Sequence, residues 1–204
     1  MAGKISSSII REVFWRPFLF LFLIMVSSEG AISLETDLDE GTVTVDSMDK
    51  SDSWTVKTDG RGSLAQISSV PDPAGTCLSV SFNLVPNGYI GISRNLDLKS
   101  LGAGEKIRFS YRGSGAPNTL ELRLVDRDGT TYRYPWNAKT SAPEWTVLEA
   151  SLDDFECLRR LDGTECQGKK LYSNSVGSMN FIIYNWQGDQ PGSGTVLLDQ
   201  VESS

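Results

Sequence analysis

Apolar and polar positions alternate along the middle of this chain. Ile107, Phe109 and Tyr111 are interleaved with Arg108, Ser110 and Arg112, and Leu120, Leu122 and Leu124 with Glu121, Arg123 and Val125. Successive side chains of a strand point to opposite faces, so each run predicts a strand with one face on a core and the other free. Gly113-Ser114-Gly115 and Asp126-Arg127-Asp128-Gly129 punctuate the runs as turns. A strand buried on both faces of a parallel sheet would be continuously apolar, and no helical pattern separates these runs, so the sheet is predicted to be antiparallel.

The same reading marks strands at 42–46, 54–57, 63–69, 77–84, 88–94, 105–112, 118–126, 130–136, 145–152, 178–186 and 194–202. Only 96–103 and 152–161 could hold a helical turn. So many short strands between residues 42 and 204 predict an all-β, antiparallel jelly-roll β-sandwich rather than the smaller immunoglobulin-like type. No internal repeat or low-complexity tract interrupts them.

Ahead of this domain, Lys4, Arg11 and Arg16 precede the apolar run Phe18–Val26, and the small residues Ser27, Ser28, Gly30 and Ala31 follow. That order predicts a secretory signal peptide over 1–30 and a secreted or extracytoplasmic product, with 31–41 as an acidic linker. An uncleaved anchor would have to bury Arg16 and Pro17, and contact with a membrane is expected only if this segment is retained. In an oxidising compartment Cys157 and Cys166, which bracket a polar loop, are expected to form a disulfide, leaving Cys77 as a free thiol packed in the sheet.

Charge and composition exclude more than they identify. Bases number 19 against 26 acids, with no basic stripe, so nucleic acid is not an expected partner. The chain has no His, which removes the commonest general base, His-dependent triads and most zinc sites. Paired carboxylates could still hydrolyse glycosides, but Asp153-Asp154 and Asp37/Asp39/Glu40 sit in turn or linker context, and the protein is not expected to be an enzyme. Asp126-Arg127-Asp128-Gly129 opens like a calcium loop but lacks the closing acid, so it is read as a hairpin turn.

Asp46-Ser47-Met48-Asp49, Ser53-Trp54, Cys77-Leu78-Ser79-Val80 and Gly88-Tyr89-Ile90-Gly91-Ile92 resemble the opening of a galactose-binding-like jelly roll. The runs Ile107–Gly113 and Leu122–Asp126, with Gly129, Glu144-Trp145 and Leu197-Leu198-Asp199-Gln200-Val201, are similar to the later strands of that fold. The likeness spans about residues 42–202, and it extends to carbohydrate-binding modules and to the related intermediate-associated domain of complex I assembly proteins. It implies a structural calcium held by Asp46 or Asp49 together with Asp199, although the family often has Glu where Asp49 stands.

Aromatic residues supply the candidate ligand site. Tyr132, Tyr134 and Trp136 recur at alternate positions, as do Tyr184 and Trp186. Sugar rings present flat C–H patches between hydroxyls, so a glycan site needs aromatic platforms beside polar clamps. If Asp128-Gly129 is a two-residue turn, Tyr134 faces Arg123 and Trp136 faces Glu121 on the polar side. If Arg127-Asp128-Gly129 is a three-residue loop with a glycine bulge, Tyr132 and Tyr134 cover Leu124 and Leu122 in the core and Arg133 joins Arg123 outside. Trp54 and Trp145 are assigned to the core.

These readings converge on an exported, non-catalytic, carbohydrate-binding module-like domain, with Glu121, Arg123, Tyr134, Trp136, Tyr184 and Trp186 as contacts to a polysaccharide or glycan. The alternative is a protein-interaction or assembly module of the same fold without a sugar site.

Overall fold

The computed structural model describes residues 41–204 except 74, 98, 137, 161, 162, 164, 165, 167 and 187. The signal segment 1–30 and the linker, up to residue 40, lie outside the described residues.

Thirteen strands form two antiparallel sheets among the described residues. The first sheet joins β10 (Thr146–Ser151), β6 (Lys106–Gly115), β13 (Gly192–Ser203), β4 (Gly75–Leu84) and β3 (Leu64–Asp72) in that order, with β1 (Val43–Asp46) also on β13. The second joins β11 (Glu156–Arg159), β8 (Thr131–Arg133), β7 (Thr119–Asp126), β12 (Val176–Tyr184), β5 (Tyr89–Asn95) and β2 (Thr55–Thr58), with β9 (Ala138–Lys139) also on β7. Apart from the β3–β4 and β7–β8 pairs, neighbouring strands are non-consecutive, and the two sheets stack as a sandwich.

The alternation seen in the sequence becomes the core. Ile107 and Phe109 of β6, Leu78 and Val80 of β4, and Val196 and Leu198 of β13 meet Leu120, Leu122 and Leu124 of β7, Met179 and Phe181 of β12, and Ile90 and Ile92 of β5. Phe109 and Phe181 touch edge to face across the sheets, their centroids 4.9 Å apart. The opposite phase of the second sheet faces outward: Glu121, Arg123 and Val125 on β7, and Asn180 and Ile182 on β12.

The structure corrects three local expectations. Gly113-Ser114-Gly115 does not end its strand, since β6 runs on through Gly115. Gly113 is needed instead because a Cβ there would lie 2.2 Å from the Thr140 backbone oxygen. Helical turns are not confined to 96–103 and 152–161: the expected one forms at Leu152–Asp154, capped by the Ser151 hydroxyl and followed by the edge strand β11, but 3-10 turns also stand at Ser51–Ser53 and Ser173–Ser175. Trp145 is half-exposed rather than core, with the Arg112 guanidinium 5.0 Å above its ring. Trp54 is buried against Phe181, as expected.

Cys157 and Cys166 form a disulfide, their Cα atoms 5.7 Å apart, at the β11 edge of the second sheet. Cys77 is free and buried.

Candidate functional site

The turn after β7 decides which side chains share the outer face. Asp126 donates its N–H to Thr130 O, Gly129 donates back to Asp126 O, and Gly129 adopts φ +82°. This is the three-residue loop with a glycine bulge, and it pairs Leu124 with Tyr132 and Arg123 with Arg133. Tyr132 is therefore buried, with burial and the nearby Asp126 carboxylate pushing its hydroxyl up to about 12. Tyr134 and Trp136 follow it inward. They pack on each other, on Phe155 and, for Trp136, on Phe109. The loop thus removes these two aromatics from the candidate ligand face and puts Arg133 there.

The other four candidates come together. Cross-strand register sets Arg123 of β7 opposite Asn180 of β12, Glu121 opposite Ile182, and Tyr184 opposite Tyr89 of β5. Lys57 of β2 lies opposite Gly91, over which the Ile182 side chain leans, where a Cβ would come within 2.8 Å of Ile182 Cδ1. The result is a cleft of about 750 Å³, lined by Lys57, Tyr89, Arg123, Arg133, Arg159 and Asn180 together with Ile182, Tyr184 and Trp186, among others.

One end of the cleft is aromatic. Trp186 stacks at a tilt on Tyr184, centroids 4.8 Å apart, and meets Tyr89 edge-on at 6.2 Å. Its indole Nε1 donates to Asn87 O at 3.2 Å, which fixes the ring while leaving 39% of the residue exposed. Asp59 holds the chain entering β5: its carboxylate accepts from the Ser63 hydroxyl, Arg61 N–H and Tyr89 N–H. These bonds hold the Asp59 carboxyl down at about 2.

The other end is ionic. Glu121 is buried beneath the cleft, its side chain 4% exposed, and accepts from Arg123 Nε at 2.5 Å. Its second oxygen receives the Tyr184 hydroxyl at 3.4 Å and lies 3.8 Å from the Arg133 guanidinium. Burial, then the Glu121 charge, pushes the Tyr184 hydroxyl upward and keeps it a donor. Arg133 also approaches Glu156 at 3.8 Å. A charge this dry is tolerable only when paired, and the two arginines pair it.

Sequence reasoning missed Lys57, Tyr89, Arg159 and Asn180 as lining residues, and had Arg133 on this face only in the three-residue-loop alternative. Arg133 followed directly from the three-residue loop. Arg159 could not be placed without β11, a strand whose residues show no clean alternation.

Of the acids expected to hold calcium, Asp46 is already paired, while Asp49 and Asp199 lie within each other's field. Asp46 is buried and ion-paired to the Arg94 guanidinium, and its other oxygen accepts from Met48 N–H at 2.7 Å. A protein cation thus occupies the position beside Asp46. Asp49 is exposed and accepts from the Ser47 hydroxyl. Asp199 is pushed upward by burial and by the fields of Asp72, Asp49 and Glu202, two of which are themselves paired, to Arg112 and Arg108. Among the described residues no three His, Cys, Asp or Glu side chains are grouped to hold a metal ion.

Comparison with known proteins turns on the fold. The chain resembles the family 11 carbohydrate-binding module from Clostridium thermocellum in complex with a β-1,3-1,4-mixed-linked tetrasaccharide: TM-score 0.62, 16% identity, covering 79% of this chain and 94% of that one. The family 11 module of the cellulosomal cellulase Lic26A-Cel5E of the same organism gives a TM-score of 0.62 at 18% identity, over 80% and 94%. The chain has the carbohydrate-binding-module β-sandwich fold. A structure of carbohydrate-binding modules from the β-sandwich superfamily, described as promiscuous in specificity, matches more loosely, with a TM-score of 0.51 at 10% identity over 75% of this chain and 57% of that one. No family model matches the sequence, and no curated protein matches it.

Proposed function

We propose that this protein is an exported, non-catalytic carbohydrate-binding module-like domain that takes a glycan in the cleft on the outer face of the second sheet. The observation that carries the reading is the pairing, in one open cleft, of a fixed aromatic cluster with two arginines oriented from beneath by Glu121. Trp186 and Tyr89 offer surfaces for the apolar faces of sugar rings, with Tyr184 backing Trp186. Arg123 and Arg133 donate to ring substituents from a planar fork, and their orientation is set before ligand arrives. Glu121 acts as a positioning residue, because both its oxygens are already engaged.

The fold likeness to modules that include a tetrasaccharide complex supports the same reading. Non-catalytic action rests on the cleft's chemistry: among the described residues no Asp or Glu lines it, the chain lacks His, and most glycoside hydrolysis uses two carboxylates flanking the bond. Export rests on the N-terminal order of basic, apolar and small residues and on the disulfide.

Isothermal titration against a panel of soluble polysaccharides tests the proposal. We expect saturable binding to at least one class, weakened about tenfold by Trp186→Ala through loss of one stacking ring. A folded protein that bound no glycan, or whose binding ignored Trp186, would remove the reading.

A second reading, the protein-interaction module, draws on the ion pairs that bridge Glu121, Arg123, Arg133 and Glu156 and on exposed Leu158 beside them. It predicts a stable protein partner whose binding is abolished by Leu158→Asp.

A further inference from the structure

The cleft is cationic in an acidic protein. The chain carries a net charge of −7, yet Lys57, Arg123, Arg133 and Arg159 all line this one depression and, among the described residues, no acid does. Glu121 and Glu156 offset part of that charge, but Glu121 lies under the floor and Glu156 sits behind Arg133 at the β11 edge. Lys57 and Arg159 are exposed, and no carboxylate partner holds either among the described residues. Asp189, beside Thr119 at the start of β7, is closed by Lys139 Nζ at 2.7 Å and the Thr119 hydroxyl at 2.6 Å.

Hydrogen-bond capacity points the same way. A neutral sugar presents hydroxyls that both donate and accept, and a site for it usually offers carboxylates or amides as acceptors as well as donors. The nearby carboxylates are engaged: Glu121 gives one oxygen to Arg123 and the other to Tyr184, Glu156 lies 3.8 Å from the Arg133 guanidinium, and Asp59 accepts from Ser63, Arg61 N–H and Tyr89 N–H. What remains facing the cleft is a surplus of N–H donors, from lysine and three guanidinium groups, with little besides Asn180 and Thr131 to accept. A donor-rich, positively charged wall is complementary to a ligand studded with anionic oxygens, and guanidinium groups bind carboxylate and sulfate bidentately.

We propose that the glycan bound here is an acidic polysaccharide, bearing carboxylate or sulfate groups that Lys57, Arg123, Arg133 and Arg159 contact while its sugar rings rest on Trp186 and Tyr89. The inference rests on the glycan-binding reading above and narrows it to a ligand class. Attraction to a repeated negative charge adds long-range steering to the stacking contacts, and salt weakens it.

Affinity is measured by titration of the full chain with four probes: polygalacturonate, its carboxyl-reduced counterpart, a sulfated galactan, and a neutral mixed-linkage β-glucan, each at low and at high ionic strength. We expect at least one acidic polymer to bind more tightly than both neutral ones, with affinity falling about tenfold or more as salt rises. The double variant Lys57→Ala/Arg159→Ala should weaken that binding about tenfold while preserving the thermal midpoint, since neither side chain is buried. Lys106→Ala, on the other sheet and paired there with Glu149, should leave affinity unchanged. Preference between polygalacturonate and the sulfated galactan identifies the acidic group. Salt-independent binding to the neutral polymers alone would overturn this inference and leave the glycan-binding reading standing. Binding of none of the four, by folded protein, would overturn both. Equal loss of affinity in Lys106→Ala would reduce the effect to overall charge and overturn the assignment to this cleft.

Discussion

Glu121→Gln removes one charge from beneath the cleft while keeping the side chain's shape. Glu121 is 4% exposed and its main partner Arg123 19%, so this pair is largely dry, whereas Arg133 is 37% exposed and well screened. Deleting one member of a fully buried pair costs about 3–5 kcal/mol, and an exposed pair is worth about 0.5 kcal/mol. The glutamine retains one oxygen to accept from Arg123 or Tyr184 but turns an amide N–H₂ toward a guanidinium, and Arg123 regains some solvent. The expected loss is about 2–3 kcal/mol. For a domain of this size that lowers the thermal midpoint by about 4–10 °C. Urea denaturation followed by Trp fluorescence, with calorimetry alongside, reads both quantities. Glu121→Leu combined with Arg123→Met should recover most of the loss, because the orphaned charge, rather than the missing bond, is the costly item. A Glu121→Gln variant within about 0.5 kcal/mol of the parent would mean that water reaches this pair, and the account of a preset arginine clamp would fail.

Arg94→Met should destabilise by about 2–4 kcal/mol, since it strands the buried Asp46 carboxylate, while a chelator should leave the parent's thermal midpoint unchanged. A midpoint that falls in chelator would return calcium to this region. Gly113→Ala places a Cβ 2.2 Å from the Thr140 backbone oxygen and 2.9 Å from that of Thr195. Neither backbone atom can swing away, so a loss of about 2–3 kcal/mol in urea denaturation is expected, and a neutral result would contradict the packing of β6 described above. The Asp59 carboxyl should titrate by carbon NMR with a midpoint of about 2, its bond from Ser63 being the first cause. Because the folded value is depressed, the stability this group contributes is fully present above the unfolded value of about 4 and is lost as pH falls toward 2. A midpoint near the ordinary 3.8 would show that the turn before Tyr89 is not held this way.

Strand positions and the buried phase were legible because one face of each strand must be apolar for the sandwich to close. Leu120, Leu122 and Leu124 could not have faced water together. Register at the hairpin was not legible. Asp128-Gly129 suits both a two-residue and a three-residue loop, and the choice moves Tyr134 and Trp136 from one side of the sheet to the other. Trp145 was misplaced because an aromatic opening an apolar strand was assumed to face inward, whereas the Arg112 guanidinium covers it from outside. The cleft itself depends on contacts between residues far apart in sequence, such as Lys57 with Gly91 and Arg159 with Thr131, and no local pattern encodes them.

The proposed function depends on where a glycan touches this protein. Amide and indole NMR spectra recorded during titration with a bound polysaccharide fragment test that directly. Shifts should concentrate at Tyr89, Arg123, Asn180, Tyr184 and the Trp186 indole, with the opposite sheet silent at Arg108, Leu197 and Val147. Perturbations gathered on that opposite sheet instead, or none at saturating ligand, would contradict a binding face built on β5, β7 and β12.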